Sequence, residues 1–362
     1  FFNSYGLGES ELFIVQSIYA VTVVLLEIPT GFVSDKYSRK LSISLGLFIA
    51  SIGYFVYSIG HGFWGFAIAE FLLAVGSCFV SGSDTALLYD TLQQTGKEES
   101  FKKNSGLQTS FGNRAEAIGG IIGGFVGTYS LSMPFFIDGV SIFIAFLISL
   151  TLFEPKIHKF QEGSDIQQIK SVINYSLKNR KIFWLILFSG FMGAITLSMV
   201  WFSQPFLKLN DVPVQYFGIY RAISNLVVGL FGLFAHKVEA YLGSREFMLL
   251  LIVVSFVSIS FIGLYPTLYM LPLFLIFQFV RGGSRVIVQD ELHIQTESKM
   301  RATVQSISSM FFRLCFAVFG PISGYVAESY GLGNGMLFMG FILCGICFYI
   351  YRQYYFGAKL LQ

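Results

Sequence analysis

The strongest constraint on the fold is a series of long apolar stretches along the whole chain. Each is about 20 residues long, the length an α-helix needs to cross the hydrocarbon core of a bilayer. Of the 362 residues, 54% are hydrophobic and only 12% are charged, far from the composition of a soluble domain. The chain is therefore predicted to be an all-α membrane protein. Eleven such stretches occur, at residues 12–34, 41–60, 63–88, 106–129, 134–154, 182–206, 216–236, 246–265, 267–289, 302–327 and 334–352.

The basic residues predict the orientation of these spans. Eighteen of the 24 Lys and Arg residues lie in alternate loops and the C-terminal tail, whereas the opposite loops hold only Lys208. Because basic loops stay on the cytoplasmic side, the alternate loops are predicted to be cytoplasmic, and both termini of an intact protein with them. The net charge of +3 gives no reason to expect a nucleic-acid partner.

The first cytoplasmic loop carries a motif. Residues 31–40 read GFVSDKYSRK, a glycine, an aspartate four residues on and a basic pair. This pattern resembles the loop between spans 2 and 3 of the major facilitator superfamily of secondary transporters. In that family the aspartate contacts the start of span 11 and locks the outward-facing state. The resemblance implies gating by Gly31, Asp35, Arg39 and Lys40, and either Asp90 or Asp290 is expected to receive Arg39.

An internal repeat supports the resemblance. A degenerate copy of the motif runs from Gly232 to Lys237, with His236 in place of Asp35, and the offset of about 201 residues also matches Gly82-Ser83 with Gly283-Ser284. Two parallel halves are predicted. They are an N-terminal bundle at 1–154 (spans 2 to 6), a cytoplasmic linker with an amphipathic helix at 155–181, and a C-terminal bundle at 182–362 (spans 7 to 12). The register places the partner of span 7 before Phe1, so the first of twelve family helices is expected to be missing from this sequence.

Ionisable residues inside spans are costly and are functional hypotheses. Because burial and a neighbouring arginine act in opposite senses on a carboxyl group, such a group can titrate near neutral pH. Glu116 is the first candidate for the coupling proton, with Glu70 and Glu27 as further candidates. The alternative for Glu116 is an ion pair with Arg313 or Arg281 that only ties the halves together.

The other charged and aromatic residues in the spans are assigned by position. Asp84 and Arg285 occupy equivalent places in the repeat and are assigned to gating. A substrate cavity is predicted to be lined by Arg114, Asp138, Trp201, Gln204, Arg221, Arg281 and Arg313. For Trp201 the alternative is an anchor at the membrane interface.

Glycines cluster in span 5. The run from Gly119 to Gly124 resembles the Gly-Pro-x-x-Gly-Gly element of antiporters in this superfamily, with Gly120 in place of the proline. The resemblance favours export. Small residues also let helices approach closely in lipid, so close packing is predicted for Gly119, Gly120, Gly123, Gly124 and, at the repeated position, Gly320 and Pro321.

These features predict a proton-coupled transporter that exports small amphipathic organic compounds, as a monomer in a bacterial cytoplasmic membrane. No cofactor, metal site or enzymatic activity is expected, because the chain lacks a nucleotide-binding loop and its four cysteines lie in apolar spans. Two alternatives remain. One is symport uptake of an anionic metabolite or metal chelate, motivated by the arginines, and the other is a sensor or scaffold without transport.

Overall fold

The computed structural model describes residues 2–155, 165–297 and 300–356, and within these ranges it contains helices and no strand. Short 3₁₀ turns lie at Phe2–Tyr5, Glu98–Ser100 and Leu268–Met270. The α-helices of the described ranges are α1 Glu9–Lys36, α2 Arg39–Ile59, α3 Gly62–Val80, α4 Ser83–Gln94, α5 Phe101–Val126, α6 Met133–Ser149, α7 Asp165–Lys178, α8 Arg180–Leu209, α9 Gln215–Leu242, α10 Ser244–Leu264, α11 Leu271–Gln295, α12 Arg301–Tyr330 and α13 Leu332–Phe356.

The helices have the length and hydropathy of membrane spans. In the described part of the chain, eight segments are long and apolar enough to cross a membrane, with α3 and α4 counted together. A ninth is added if the two parts of α9, bent by 48°, form one span. The predicted all-α membrane fold is confirmed. The count of eleven stays a prediction, because α6, with 17 residues, is shorter than the eight candidate spans and α5 is polar along its first half.

Contacts group the described residues into two compact units. Unit 1 comprises Phe1–Leu7, Ile18–Glu162 and Val214–Ala222, and unit 2 comprises Gly8–Ser17, Gly163–Pro213 and Ile223–Gln362. The start of α1 thus groups with unit 2, and the start of α9 with unit 1. The predicted bundle boundaries at 154 and 182 stay a prediction.

In unit 1, α2 packs closely on its neighbours through small residues. A Cβ atom on Gly76 of α3 would lie 2.6 Å from the carbonyl oxygen of Gly46, so a glycine is required at this crossing. Ser42 Oγ donates to the carbonyl oxygen of Phe79 (2.7 Å), and Ser149 Oγ of α6 donates to Ser44 Oγ (2.7 Å). Small and hydroxyl-bearing residues supply the packing that apolar burial cannot provide in lipid.

In unit 2, α8 runs through the core. Its Phe188, Phe202 and Phe206 are almost fully buried, and Phe13 at the start of α1 lies 4.8 Å from Phe202 between ring centroids. A Cβ atom on Gly320 of α12 would meet the ring of Phe13 at 3.1 Å. The predicted linker contains α7, on which Val172 and Ser176 are buried, while residues 156–164 of that linker lie outside the described ranges.

The polarity of residues 31–40 suggested a loop, but most of this motif is helical. Helix α1 continues to Lys36 and α2 begins at Arg39, so only Tyr37 and Ser38 connect them. The second copy of the motif lies within α9, where the helix bends by 48° between Phe231 and Phe234. The chain then turns at Gly243, whose φ of +88° suits glycine.

The repeat also has two different local structures at Gly82 and Gly283. Gly82 has a φ of +77° and separates α3 from α4, whereas Gly283 lies inside the unbroken helix α11. A Cβ atom on Gly283 would meet the ring of Phe247 at 3.1 Å. The first glycine therefore serves a backbone turn and the second serves helix packing.

Candidate functional site

The first candidate site is a cavity in unit 1, which we call the acidic cavity. It has a volume of about 880 Å³ and is bounded by α2, α5, α6 and the start of α9. Its charged lining residues are Glu116, Asp138 and Arg221, and Tyr54 contributes a hydroxyl group. Ser141 of α6 adds a second hydroxyl group, and the remaining wall is formed by apolar side chains and by glycines of α5. Such a mixture of apolar surface with a few polar groups is typical of small-molecule sites.

Glu116 and Arg221 form an ion pair in this cavity. Arg221 Nη2 lies 3.5 Å from Glu116 Oε1, and the two side chains are 43% and 54% exposed. Arg221 was not among the partners considered from the sequence, and the pairing of Glu116 with Arg313 or Arg281 stays a prediction. Arg221 could not be chosen from the sequence because the pairing depends on how α5 and α9 cross.

A glycine crossing holds α5 against α9. A Cβ atom on Gly218 would overlap the carbonyl group of Gly120, and one on Gly124 would lie 2.9 Å from the carbonyl oxygen of Gln215. Gly120 and Gly124 thus lie where the helices approach most closely. Gly119 differs, since a Cβ atom there would meet no described atom within 4 Å, and for Gly123 the nearest atom is Pro134 Cβ at 3.8 Å. Both line the acidic cavity.

The other two proton candidates are more enclosed than Glu116. Glu70 is buried, and its Oε1 accepts a hydrogen bond from the Tyr57 hydroxyl at 2.6 Å. Tyr57 stacks on Phe135 with ring centroids 4.8 Å apart. For Glu27, the Oε2 atom is buried and has no hydrogen-bond partner among the described residues. A buried polar atom left unpaired is costly, so Glu27 keeps its place as a functional hypothesis.

The second candidate site is a cavity in unit 2, which we call the serine–arginine cavity. It has a volume of about 340 Å³ and lies between α8, α11 and α12. Two arginines line it, Arg281 and Arg285, together with hydroxyl and amide groups and the ring of Phe312. The polar groups without charge are Ser189, Thr196, Ser284, Gln289, Gln305, Ser308 and Ser309.

The other residues predicted to line a substrate cavity do not line either of these two cavities. The guanidinium group of Arg114 lies 6.0 Å from the ring centre of Phe111 on its own helix. Trp201 is partly buried and Gln204 is exposed on α8. Arg313 Nε is buried without a hydrogen-bond partner among the described residues. Pro321 lies inside α12 and is partly buried.

The motif residues form a charged cluster at the connection between α1 and α2. Arg39 pairs with Asp90 of α4, and these side chains are 14% and 11% exposed. Asp35 Oδ1 lies 3.8 Å from Arg39 Nη2 but is 58% exposed. Of the two expected receivers of Arg39, the structure thus brings Asp90 to it, while Asp290 is exposed on α11. A Cβ atom on Gly31 would meet no described atom within 4 Å.

Glu154 completes this cluster, and sequence reasoning missed it. Its carboxylate accepts hydrogen bonds from the backbone N–H groups of Arg39 (3.0 Å) and Lys40 (2.8 Å) and from Ser38 Oγ (2.9 Å). Arg39 and Lys40 add positive charge at the N-terminus of α2, which is already the positive end of the helix dipole. A carboxylate at this end is therefore stabilising. The available signal was an acid at the end of a predicted span, directly before Pro155.

Asp84 lies in the first turn of α4, where its Oδ1 accepts a hydrogen bond from the backbone N–H of Thr85 (2.6 Å). Its Oδ2 accepts from Gln108 Nε2 of α5 at 2.8 Å. The carboxylate therefore ties the start of α4 to α5. Arg285, its counterpart in the repeat, has no carboxylate within 4 Å among the described residues and lines the serine–arginine cavity.

Known proteins resemble this chain in fold and sequence. Quinolone resistance protein NorA of Staphylococcus aureus (strain Mu50 / ATCC 700699) is 28% identical over 152 residues, which are 42% of this chain and 38% of that protein. The uncharacterized transporter BU466 of Buchnera aphidicola (subsp. Acyrthosiphon pisum, strain APS) is 27% identical over 214 residues, 59% of this chain and 40% of that protein. The chain thus spans less than half the length of either relative.

Solved structures match over nearly the whole chain. A crystal structure of the nucleoside transporter NupG covers 98% of this chain and 91% of its own, with a TM-score of 0.77 and 18% identity. A POT family transporter in complex with 5-aminolevulinic acid has a TM-score of 0.74, with 11% identity and coverage of 96% and 88%. The family model of the Major Facilitator Superfamily matches residues 1–314. The chain therefore belongs to the Major Facilitator Superfamily.

Proposed function

We propose that the protein exports small amphipathic organic compounds by alternating access, driven by an inward flow of protons. The observation that carries the proposal is the Glu116–Arg221 ion pair in the wall of the acidic cavity. In this proposal it works as a monomer without a cofactor, in a bacterial cytoplasmic membrane, with both termini of the intact protein in the cytoplasm. The proton gradient supplies the energy.

The ion pair supplies a way to couple protons to substrate. A proton that binds Glu116 neutralises the carboxylate and removes its attraction for Arg221. The guanidinium group is then unpaired in the cavity wall, and its interaction with the rest of the site changes. Since both side chains are about half exposed, Glu116 can exchange protons with the cavity. Asp138, in the same cavity, can take part in the exchange.

The cavity also supports the substrate class. Most of its lining residues are apolar or glycine and the polar ones are few, which suits a compound with one apolar and one polar end. The resemblance to NorA, a quinolone resistance protein, is consistent with export of small organic compounds. Glu116 lies on the same helix as the glycine run that favours export.

The proposal is tested in proteoliposomes filled with a fluorescent amphipathic dye, with the pH set separately on each side. With a pH gradient imposed, we expect dye to move against its concentration gradient, in the direction opposite to the flow of protons. Liposomes without protein and a proton ionophore are the controls. Dye movement that ignores the pH gradient would contradict proton coupling.

A second candidate function is symport uptake of an anionic metabolite. The observation that favours it is the serine–arginine cavity, in which two arginines meet without an acidic lining residue. The same proteoliposomes separate the two functions. If protons and substrate move in the same direction, the exporter proposal is wrong and uptake is correct.

A further inference from the structure

We propose that the serine–arginine cavity binds an anionic oxygen group, a carboxylate or phosphate, on a transported compound that also carries hydroxyl groups. This inference rests on the second candidate function, uptake of an anionic metabolite, and deepens it, because it names the substrate class of that transport. It concerns a site within unit 2 that shares no lining residue with the acidic cavity or the motif cluster.

The charge of the cavity is the first argument. Arg281 and Arg285 lie four residues apart on α11 and line the same space, and like charges at this spacing destabilise a helix. None of the residues that line the cavity is acidic. Arg285 also has no carboxylate within 4 Å in the described part of the chain. A bound anion would balance the charge of Arg285.

The geometry of arginine is the second argument. A guanidinium group presents a planar fork of N–H donors that matches the two oxygens of a carboxylate or phosphate. Side chains four residues apart on a helix are neighbours on one face. Two forks on one face can therefore hold a single anionic group.

The neutral lining determines what else the ligand carries. Gln289, Ser308 and Ser309 offer both donors and acceptors, which suits hydroxyl groups better than an apolar chain. Gln305 Oε1 lies 3.4 Å from His293 Nε2, a contact that links this amide to α11. The ring of Phe312 also lines the cavity and packs against Gly193, where an added Cβ atom would lie 2.5 Å from the ring.

The size of the cavity limits the ligand. Its volume of about 340 Å³ falls near the lower end of the range of small-molecule sites. A phosphorylated monosaccharide or a hydroxy acid has the required charge, hydroxyl groups and size. The phosphate of a lipid headgroup shares this chemistry and is a competing source, which the test must separate.

The test measures the binding of glucose 6-phosphate to the detergent-purified chain, by calorimetry and by the shift in unfolding temperature. Glucose is the matched neutral probe and gluconate is the carboxylate probe. We expect an anionic probe, but not glucose, to bind and to raise the unfolding temperature. In Arg285→Gln the affinity should fall by about 10- to 100-fold, the usual effect of losing a charge-assisted hydrogen bond.

Two variants act as controls. Arg352→Gln removes the same charge from an exposed position on α13 outside the cavity and should bind like the unaltered chain. Arg285→Lys keeps the charge but loses the fork, so we expect an intermediate affinity. It also remains informative if Arg285→Gln does not fold. Equal affinities in Arg285→Lys, Arg352→Gln and the unaltered chain would overturn the proposal.

A lipid arm identifies the source of the anion. The same variants are placed in nanodiscs of phosphatidylcholine, with and without phosphatidylglycerol. Stabilisation by phosphatidylglycerol that depends on Arg285, with no effect of any soluble probe, would overturn the substrate assignment. Because these measurements need no pH gradient, their outcome is independent of the dye-transport test.

Discussion

Arg221 of α9 and Glu116 of α5 form an ion pair, 3.5 Å from Nη2 to Oε1, beside a crossing of the same two helices at Gly218 and Gly120. The glycines bring the backbones together, and this close approach lets the two side chains meet. The pair therefore depends on helix packing as well as on charge. Any motion that separates α5 from α9 would also separate Glu116 from Arg221.

Replacing Glu116 by Gln should uncouple transport from protons. The amide keeps the size of the side chain but cannot bind a proton in the working pH range. We expect dye accumulation driven by a pH gradient to fall roughly tenfold or more, while exchange of dye without a gradient continues. Both rates are measured in proteoliposomes.

The matched control for that variant is Glu98→Gln, at an exposed position in a short 3₁₀ turn. It removes the same charge and should leave both rates unchanged. If Glu116→Gln accumulates dye as well as the control does, Glu116 is not the coupling site. Glu70 and Glu27 would then be tested in the same way.

The pair formed by Arg39 and Asp90 should contribute much more to stability than the contact between Arg39 and Asp35. Asp90 is 11% exposed and Asp35 is 58% exposed. Removing Asp90 leaves the enclosed guanidinium group of Arg39 with only its longer contact to the exposed Asp35, and Asp90→Asn should cost about 3–5 kcal/mol of unfolding free energy. Asp35→Asn should cost less than about 1 kcal/mol, because water screens exposed pairs.

Denaturant unfolding in detergent measures both effects. The double variant Arg39→Gln with Asp90→Asn should recover part of the loss, since it leaves no unpaired charge. Equal losses for Asp35→Asn and Asp90→Asn would show that enclosure of the pair does not matter.

A separate expectation follows for Asp35, because its proposed role is gating and not stability. Its variant should shift the balance of inward and outward states in spectroscopic distance measurements.

The sequence predicted the features that depend on composition and local position. Apolar runs located the helices, because a span must satisfy its backbone hydrogen bonds internally. The pairing of Arg39 with Asp90 was one of two options, since a base at the end of one span needs an acid at the end of another. The Major Facilitator Superfamily was identified from the motif at 31–40.

Features that depend on how helices cross could not be predicted. Arg221 was not named from the sequence as a partner of Glu116, since charge alone does not show which arginine a crossing brings near, and the pairing with Arg313 or Arg281 stays a prediction. Gly218 resembles many other glycines in apolar helices, and only its approach to Gly120 distinguishes it. The loop expected at residues 31–40 was also wrong, because α1 continues to Lys36 and polar residues in the last turn of a helix look the same in sequence as a loop.

Removing the carboxylate of Glu154 should loosen the start of α2. In Glu154→Ala the N–H groups of Arg39 and Lys40 lose their acceptors, and loss of a helix cap costs about 1 kcal/mol. We expect amide hydrogen exchange to accelerate at these two positions and to stay unchanged in the middle of α2. The control is Glu99→Ala, at an exposed position in the 3₁₀ turn Glu98–Ser100 before α5. Unchanged exchange at Arg39 and Lys40 would contradict the capping role.

A methyl group at Gly218 should disrupt the crossing of α5 and α9. The added Cβ atom would overlap the carbonyl group of Gly120, so the helices must move apart. Overpacking of this kind costs about 1–3 kcal/mol, and here it would also break the Glu116–Arg221 contact. We therefore expect Gly218→Ala to lower the unfolding temperature and to weaken proton-driven dye transport together.

Gly229→Ala is the matched substitution on the same helix. A Cβ atom at Gly229 meets no described atom within 4 Å, and alanine favours a helix over glycine by roughly 1 kcal/mol. This variant should be as stable as the unaltered chain or slightly more stable, with normal transport. If the two alanine variants behave alike, the crossing does not hold the ion pair, and the link between helix packing and proton coupling is wrong.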